Sequence, residues 1–271
     1  MSKILWISGD HPRHIFVLNN LIANFDVGGV ILEKREKNSN TILPIPPTDC
    51  LQRDTDNFNL HFKNRLLCEK KYFGNEVIKK NNLPIINVLS EELNAKKTIR
   101  FIQEVNPEIT LLFGCSVLKK ETIDKLPFHS INLHGGLSPR YKGVATLFWP
   151  FYFLEPNNAG FTFHYLDSNV DSGRIIHQCL PKLAVEDKIH DVACKAVLKA
   201  NFDILKILDK LNNKKKIKSQ IQTSQGKTFY SSDFRPEHLR VIYDHYEDEI
   251  VKMYLKKKIN PFNQPIFDQF K

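Results

Sequence analysis

The stretch INLHGGLSPRYKG places Asn132 and His134 with one residue between them. On a strand, such residues point to the same face, so an amide and an imidazole stand side by side. Gly135 and Gly136 follow, where the chain must turn. A carboxylate, Asp171 in NVDSGRI, comes after a hairpin-like connection. An imidazole is the usual proton carrier near neutral pH, and an adjacent carboxylate fixes its tautomer and stabilises its charged form. A neutral amide can donate to an oxygen on which negative charge develops. Together the three suit attack of an amine on a carbonyl carbon, the amine itself being the nucleophile. Each also has a plainer explanation: a strand-end cap for Asn132, a backbone-bonded histidine for His134 and an Asx turn for Asp171. Convergence of all three at one sheet edge favours chemistry.

The pattern of elements supplies such an edge. Apolar runs at 3–8, 27–33, 83–88, 109–114 and 129–134 read as strands. Helical periodicity covers 15–25, 62–73, about 90–105 and a short piece near 119–125. A polar stretch from Lys34 to about Asn57 reads as a surface loop. This alternation predicts an α/β fold: a Rossmann-like, mostly parallel sheet with helices on both faces, plus a small C-terminal helical extension. Ligands of such sheets bind beyond the carboxyl ends of the strands, where Gly9-Asp10, Gly114-Cys115 and His134-Gly135 fall. Further strands at 159–167 and 173–181 precede a long helix starting near Asp187. Residues 1–212 are expected to form the catalytic domain and 213–271 the extension. The extension should hold a short extended piece around GKTFYSS and one long helix from about Pro236 to Lys257. Leu239, Ile242, Tyr243, Tyr246, Ile250 and Tyr254 would form that helix's apolar face, against the sheet or a second copy in a homodimer.

Composition narrows the class. A chain of 271 residues with 42% hydrophobic and 11% aromatic residues can bury a sizeable core. No apolar run reaches membrane-spanning length, and the start MSKILWISGDHPRH does not resemble a signal peptide, so a cytoplasmic protein is expected. Cys50, Cys68, Cys115, Cys179 and Cys194 are scattered, as suits reduced thiols rather than a zinc site. The net charge of +9 owes much to lysine runs at 214–216 and 256–258, which read mainly as solvated faces. Arg13 and His14 open a helix, a place where anions bind. His11 and His14 could otherwise form half of a metal site that lacks a third ligand.

NLHGGLSPRYKG followed by VDSGRII resembles the folate-dependent formyltransferase family. The family pattern is Asn-x-His, then a Leu-Pro-x-Tyr-Arg-Gly loop, then Asp-x-Gly after a hairpin. The resemblance covers roughly residues 80–185. It implies that Asn132, His134 and Asp171 are catalytic and that 10-formyltetrahydrofolate is the co-substrate, with no metal. It further implies that Phe113, Gly114, Ser116, Val117 and Leu118 meet the pterin largely through their backbone. Leu166, Asp167 and Val170 match the folate loop. Two positions depart from the pattern: Gly136 stands where a serine is usual, and Ser138 where a leucine is usual. Neither carries a proton, but both bear on loop contacts. Protonated His134, with Asn132, would stabilise the oxyanion.

The acceptor is expected to meet Arg13, His14, Gly136, Tyr141, Lys142 and His164. The glycinamide ribonucleotide enzymes carry a Gly-Ser-Asn phosphate loop where this chain reads SGDHPRH. Methionyl-tRNA formyltransferases carry a larger C-terminal barrel, and folate deformylases a leading regulatory domain. The expected acceptor is therefore the primary amine of a nucleotide-linked amino sugar, such as a dideoxy amino sugar on a nucleoside diphosphate. Methionyl-tRNA and glycinamide ribonucleotide are the alternatives. A catalytically inactive folate- or nucleotide-binding protein, or an RNA-binding protein, is the alternative of another class, with nucleic acid and membrane disfavoured as partners.

Overall fold

The computed structural model describes residues 1–34, 43–75, 77–80, 82–223 and 226–271. Five parallel strands come first: β1 (Ile4–Gly9), β2 (Val27–Lys34), β3 (Ile85–Leu89), β4 (Ile109–Phe113) and β5 (His129–His134). A three-residue strand, β6 (Tyr141–Gly143), leaves the main sheet. Then β7 (Phe161–Tyr165) and β8 (Ile175–Cys179) rejoin it in antiparallel sense. The seven-stranded order is β3-β2-β1-β4-β5-β7-β8, and β6 pairs with β9 (Lys227–Phe229) in a separate two-stranded ribbon. This is the mostly parallel, helix-covered sheet that the alternation of elements predicts.

Alternation along each central strand divides the core. Ile4 and Trp6 of β1 pack beneath α1 (Pro12–Asn24), α2 (Gln52–Phe73) and α6 (Ile189–Asn212). Leu5 and Ile7 pack on the other face with α3 (Lys96–Val105), near the short α4 (Lys120–Ile123). Pro12 occupies the first turn of α1, where its missing N–H costs nothing. Gly74, at φ +68, ends α2, and Asn106, at φ +47, ends α3.

A third apolar cluster joins the two halves of the chain. Tyr141, Phe148, Trp149 and Phe151 pack with Phe229, Leu239, Ile242, Ile250 and Val251. The short α5 (Trp149–Tyr152) lies in this cluster, and the Trp149 ring stacks on Phe229 at 4.5 Å. Among the described residues, no helix is long and apolar enough to cross a membrane.

Two expectations about elements change. The stretch up to Asn57 is not all loop, because α2 begins at Gln52; residues 35–42 lie outside the described residues. QRDTDN has no apolar period, and this turn is held by tertiary contacts. Arg240 grips both oxygens of Asp54 at 2.6 Å, and Asn57 donates to Asp244 at 3.0 Å. The long C-terminal helix is likewise replaced by short pieces: a 3-10 turn at Pro236–His238, a π turn at Val241–His245 and α7 (Ile250–Leu255). Glu247 and Asp248 interrupt it in left-handed conformation, at φ +50 and +55. Asp248 turns back so that its amide reaches Ile242 O at 2.7 Å, while its carboxylate accepts the Ile189 amide at the start of α6 at 3.0 Å. The helical pattern gives way to a cap for a neighbouring helix.

Candidate active site

β5 and β7 run antiparallel with Asn132 opposite His164 and His134 opposite Thr162. Residues 132, 134 and 164 therefore share one face at the edge of the parallel strands. The β7–β8 connection carries Asp171, at φ +48, a conformation that aspartate tolerates better than most residues. Gly173 lets the loop close over β7, since a Cβ there would sit 1.8 Å from Tyr165 O. Gln222, beyond residue 212, donates to the carbonyls of Asp171 and Gly173 at 2.8 and 2.9 Å and fixes the loop from behind.

The groups meet. His134 Nδ1 lies 3.3 Å from Asp171 Oδ2, and Asn132 Nδ2 donates to Asp171 Oδ1 at 3.1 Å. His164 Nε2 is 3.3 Å from Asp171 Oδ1 and 3.2 Å from Asn132 Nδ2. The Gly143 amide donates to Asp171 Oδ2 at 2.8 Å. Two carbonyls orient the imidazoles: Tyr141 O lies 2.8 Å from His134 Nε2, and Tyr165 O lies 2.9 Å from His164 Nδ1. A carbonyl only accepts, so Nε2 of His134 and Nδ1 of His164 carry protons. Their other nitrogens face the carboxylate.

Burial opposes ionisation of Asp171, but the His134 and His164 rings and the Gly143 amide outweigh it. They hold the carboxyl well below the usual carboxylate range. At His134 burial is the larger influence: it lowers the pKa although Asp171 and the Tyr141 carbonyl work the other way. Burial thus favours the neutral ring, while the carboxylate 3.3 Å from Nδ1 favours its taking a proton.

The residues expected around this cluster divide. Phe113 and Leu118 are buried, while Gly114, Ser116 and Val117 are exposed at the carboxyl end of β4. Ser116 is tied down by Glu33 from the end of β2, which accepts its amide at 2.6 Å and its hydroxyl at 2.5 Å. Leu166 is partly buried, and Asp167 and Val170 are exposed on the loop that carries Asp171. Lys142 is partly exposed. His164 is 2% exposed and lies inside the cluster, 3.3 Å from Asp171, rather than on an open surface.

His14 does not fit an acceptor-binding role. It is 0% exposed, packs edge-on against Phe113 at 4.6 Å and lies under Gly9 and Gly114. Arg13 forms an ion pair with Glu69 at 2.5 Å. The Tyr141 ring is 1% exposed and its hydroxyl binds Glu155, so only its carbonyl reaches the site. Gly136 is buried where a Cβ would lie 2.7 Å from His134, Thr146 and Tyr141, so its task is close packing. Sequence reasoning missed the Gly143 amide and Tyr141 carbonyl, which have no side-chain signature, and Gln222, which sits in a polar stretch.

A set with a buried carboxylate, two oriented imidazoles and an amide suits proton transfer around a carbonyl carbon. Comparison with known proteins points the same way. A bifunctional polymyxin resistance protein ArnA from Wigglesworthia glossinidia brevipalpis is 30% identical over 122 residues, 44% of this chain and 18% of that one. A methionyl-tRNA formyltransferase from Acetivibrio thermocellus is 28% identical over 99 residues, 36% of this chain and 30% of its own. The matched region therefore spans less than a third of either relative. An N-formyltransferase from Helicobacter canadensis, solved with folinic acid and dTDP-3-aminofucose, shares the fold. Its TM-score is 0.55 at 17% identity, over 96% of this chain and 84% of that one. The profile of the formyl transferase family matches residues 61–205, which hold Asn132, His134, His164 and Asp171. With more than half of its length matched, the chain belongs to the formyl transferase family.

Proposed function

We propose that this protein transfers the formyl group of 10-formyltetrahydrofolate to a primary amine, and that the amine belongs to a nucleotide-linked amino sugar. The observation that carries the reading is the meeting of Asn132, His134 and Asp171 at the carboxyl edge of the sheet. Folate would lie along residues 113–118 and 166–170, which flank that edge. The neutral amine attacks the formyl carbon, forming a C–N bond while the carbonyl electron pair moves to oxygen. His134 Nδ1 takes the proton released by the amine, and Asp171 stabilises the imidazolium. That cation, with the Asn132 amide, stabilises the oxyanion. Collapse breaks the bond to the folate nitrogen, which takes up the proton and leaves as tetrahydrofolate. The amino-sugar acceptor draws support from the fold it shares with an N-formyltransferase bound to an aminofucose nucleotide. Residues 213–271 would act as a brace, through Gln222 and β9, rather than as a separate binding unit.

Incubation with 10-formyltetrahydrofolate and a panel of amino-sugar nucleotides, methionyl-tRNA and glycinamide ribonucleotide, read by product mass, tests both parts. A formylated amino-sugar nucleotide is expected. Formylation only of tRNA or the ribonucleotide would reassign the acceptor, and near-normal transfer by Asn132→Ala and Asp171→Ala would remove the mechanism.

A further inference from the structure

Both main-chain contacts to the catalytic pair from outside β5 come from β6. The Tyr141 carbonyl holds His134 Nε2, and the Gly143 amide holds Asp171 Oδ2. A strand of three residues cannot hold such positions alone. On one side β9 pairs with it, Tyr141 opposite Lys227 and Gly143 opposite Phe229. Gly143 permits that approach, because at φ +89 a Cβ would lie 2.1 Å from Phe229 O. On the other side stands Glu155, 7% exposed, between α5 and β7. Its Oε2 accepts Arg140 Nε at 2.9 Å and the Tyr141 hydroxyl at 2.5 Å, and its Oε1 accepts Arg140 Nη2 at 2.5 Å. Asn158 donates to Oε2 at 3.1 Å. Burial works against this carboxylate, but Arg140, Tyr141 and Asn158 outweigh it and lower its pKa. One buried anion thus clamps two successive residues at the start of β6.

We infer that Glu155 is a positioning residue of the transfer reaction, acting through Tyr141 to set which nitrogen of His134 is free to take a proton. The inference rests on the proposed function for its kinetic part. While the Tyr141 carbonyl stays in place, the resting proton of His134 is committed to Nε2, and only Nδ1 faces Asp171. If Tyr141 shifts, that preference weakens, and a misplaced tautomer cannot accept the amine proton. The charged and titratable groups around His134 are Asp171 and His164, and those around Glu155 are Arg140 and Tyr141.

Glu155→Gln is the test, with folding checked by circular dichroism and thermal midpoint. The expected result is a fall in kcat of up to about 100-fold, the cost of small misplacement at a reacting centre. KM for the folate should stay unchanged and the pH–rate profile should move. Imidazole 15N spectra, assigned by difference against His134→Asn, should show one protonated Nε2 in the wild type and mixed or altered tautomers in the variant. This arm needs no substrate, so it stands even if the wild-type protein transfers no formyl group, which would end the proposed function alone. If Glu155→Gln does not fold, Tyr141→Phe, which removes one contact to Glu155, should move the same readings in the same direction by less. A folded variant with unchanged kcat, pH profile and His134 spectrum overturns the inference.

Discussion

Two buried histidine–aspartate arrangements stand on one sheet, at β5 and at β8 with β7 between them, and only the first is suited to chemistry. At the edge of β5, Asp171 faces two imidazoles and two N–H donors. Among the described residues, no lysine or arginine pairs with it. On β8, His177 Nε2 lies 3.0 Å from Asp203 Oδ2 of α6, and Lys199 Nζ reaches both carboxylate oxygens at 2.7 and 2.5 Å. His177 Nδ1 accepts the Gln269 amide at 3.1 Å, which commits its proton to Nε2. Cys179 lies close enough that His177, Cys179 and Asp203 offer donor atoms within 4.8 Å of one another, the spacing of a metal site. There the Lys199 ammonium already takes the cation's place. The distances are alike and the compensation is not. A carboxylate neutralised by lysine holds β8 to α6, whereas one that faces imidazole rings and N–H donors can steady the positive charge that a ring gains with a proton.

Four experiments test this contrast. Asp171→Asn should lower the rate of formyl transfer by about 10²- to 10⁴-fold, the usual worth of a positioned proton carrier, with the fold intact. A loss below tenfold would erase the distinction. Asp203→Ala should do the reverse, lowering stability by about 2–3 kcal/mol in urea unfolding while the rate per folded molecule holds. The loss falls at the low end for a broken buried pair because Lys199 can turn to solvent, its side chain being 40% exposed. A fall in rate there would mean that both pairs serve the reaction. His164→Gln should cost about tenfold in kcat with little change in acceptor KM, because Asp171 keeps its contact with His134. A selective rise in acceptor KM would return His164 to substrate binding.

The smallest effect concerns pH. Burial lowers the pKa of His134, His61 and His190, the last to about 3. For such histidines the unfolded chain binds a proton near 6.5 that the folded one refuses, so stability should fall as pH drops from about 6.5 toward about 3. Asp171 acts in a lower window, below the ordinary carboxylate value, where its protonation removes stability. His134→Gln should make the upper part of that fall shallower in denaturant titrations at several pH values. An unchanged slope would mean that the ring is not held neutral.

The central strands were legible because buried parallel strands write themselves as apolar runs, and the meeting of the candidate residues was legible because Asn132 and His134 repeat at strand spacing. The first turns of α2 were not, since Asp54 and Asn57 are polar and find their partners in Arg240 and Asp244, far along the chain. The C-terminal helix misled for the opposite reason: its apolar period is real, but Asp248 is drawn away to cap α6. His14 suited an anion site by type, yet burial under Gly9 and Gly114 removes it. Tertiary demand overrode local pattern in each case.

β8 is the outermost strand on its side of the sheet, and Phe267 and Gln269 lie along it. Gln178 donates to Phe267 O at 2.7 Å, and Gln269 reaches Ile176 O at 2.8 Å. Gln220 exchanges backbone bonds with Ile175 at 2.8 Å. These segments satisfy groups that would otherwise recruit strands from other molecules. Shortening the chain by its last six residues should leave Asn132, His134 and Asp171 in place while making the protein aggregate along this bared margin.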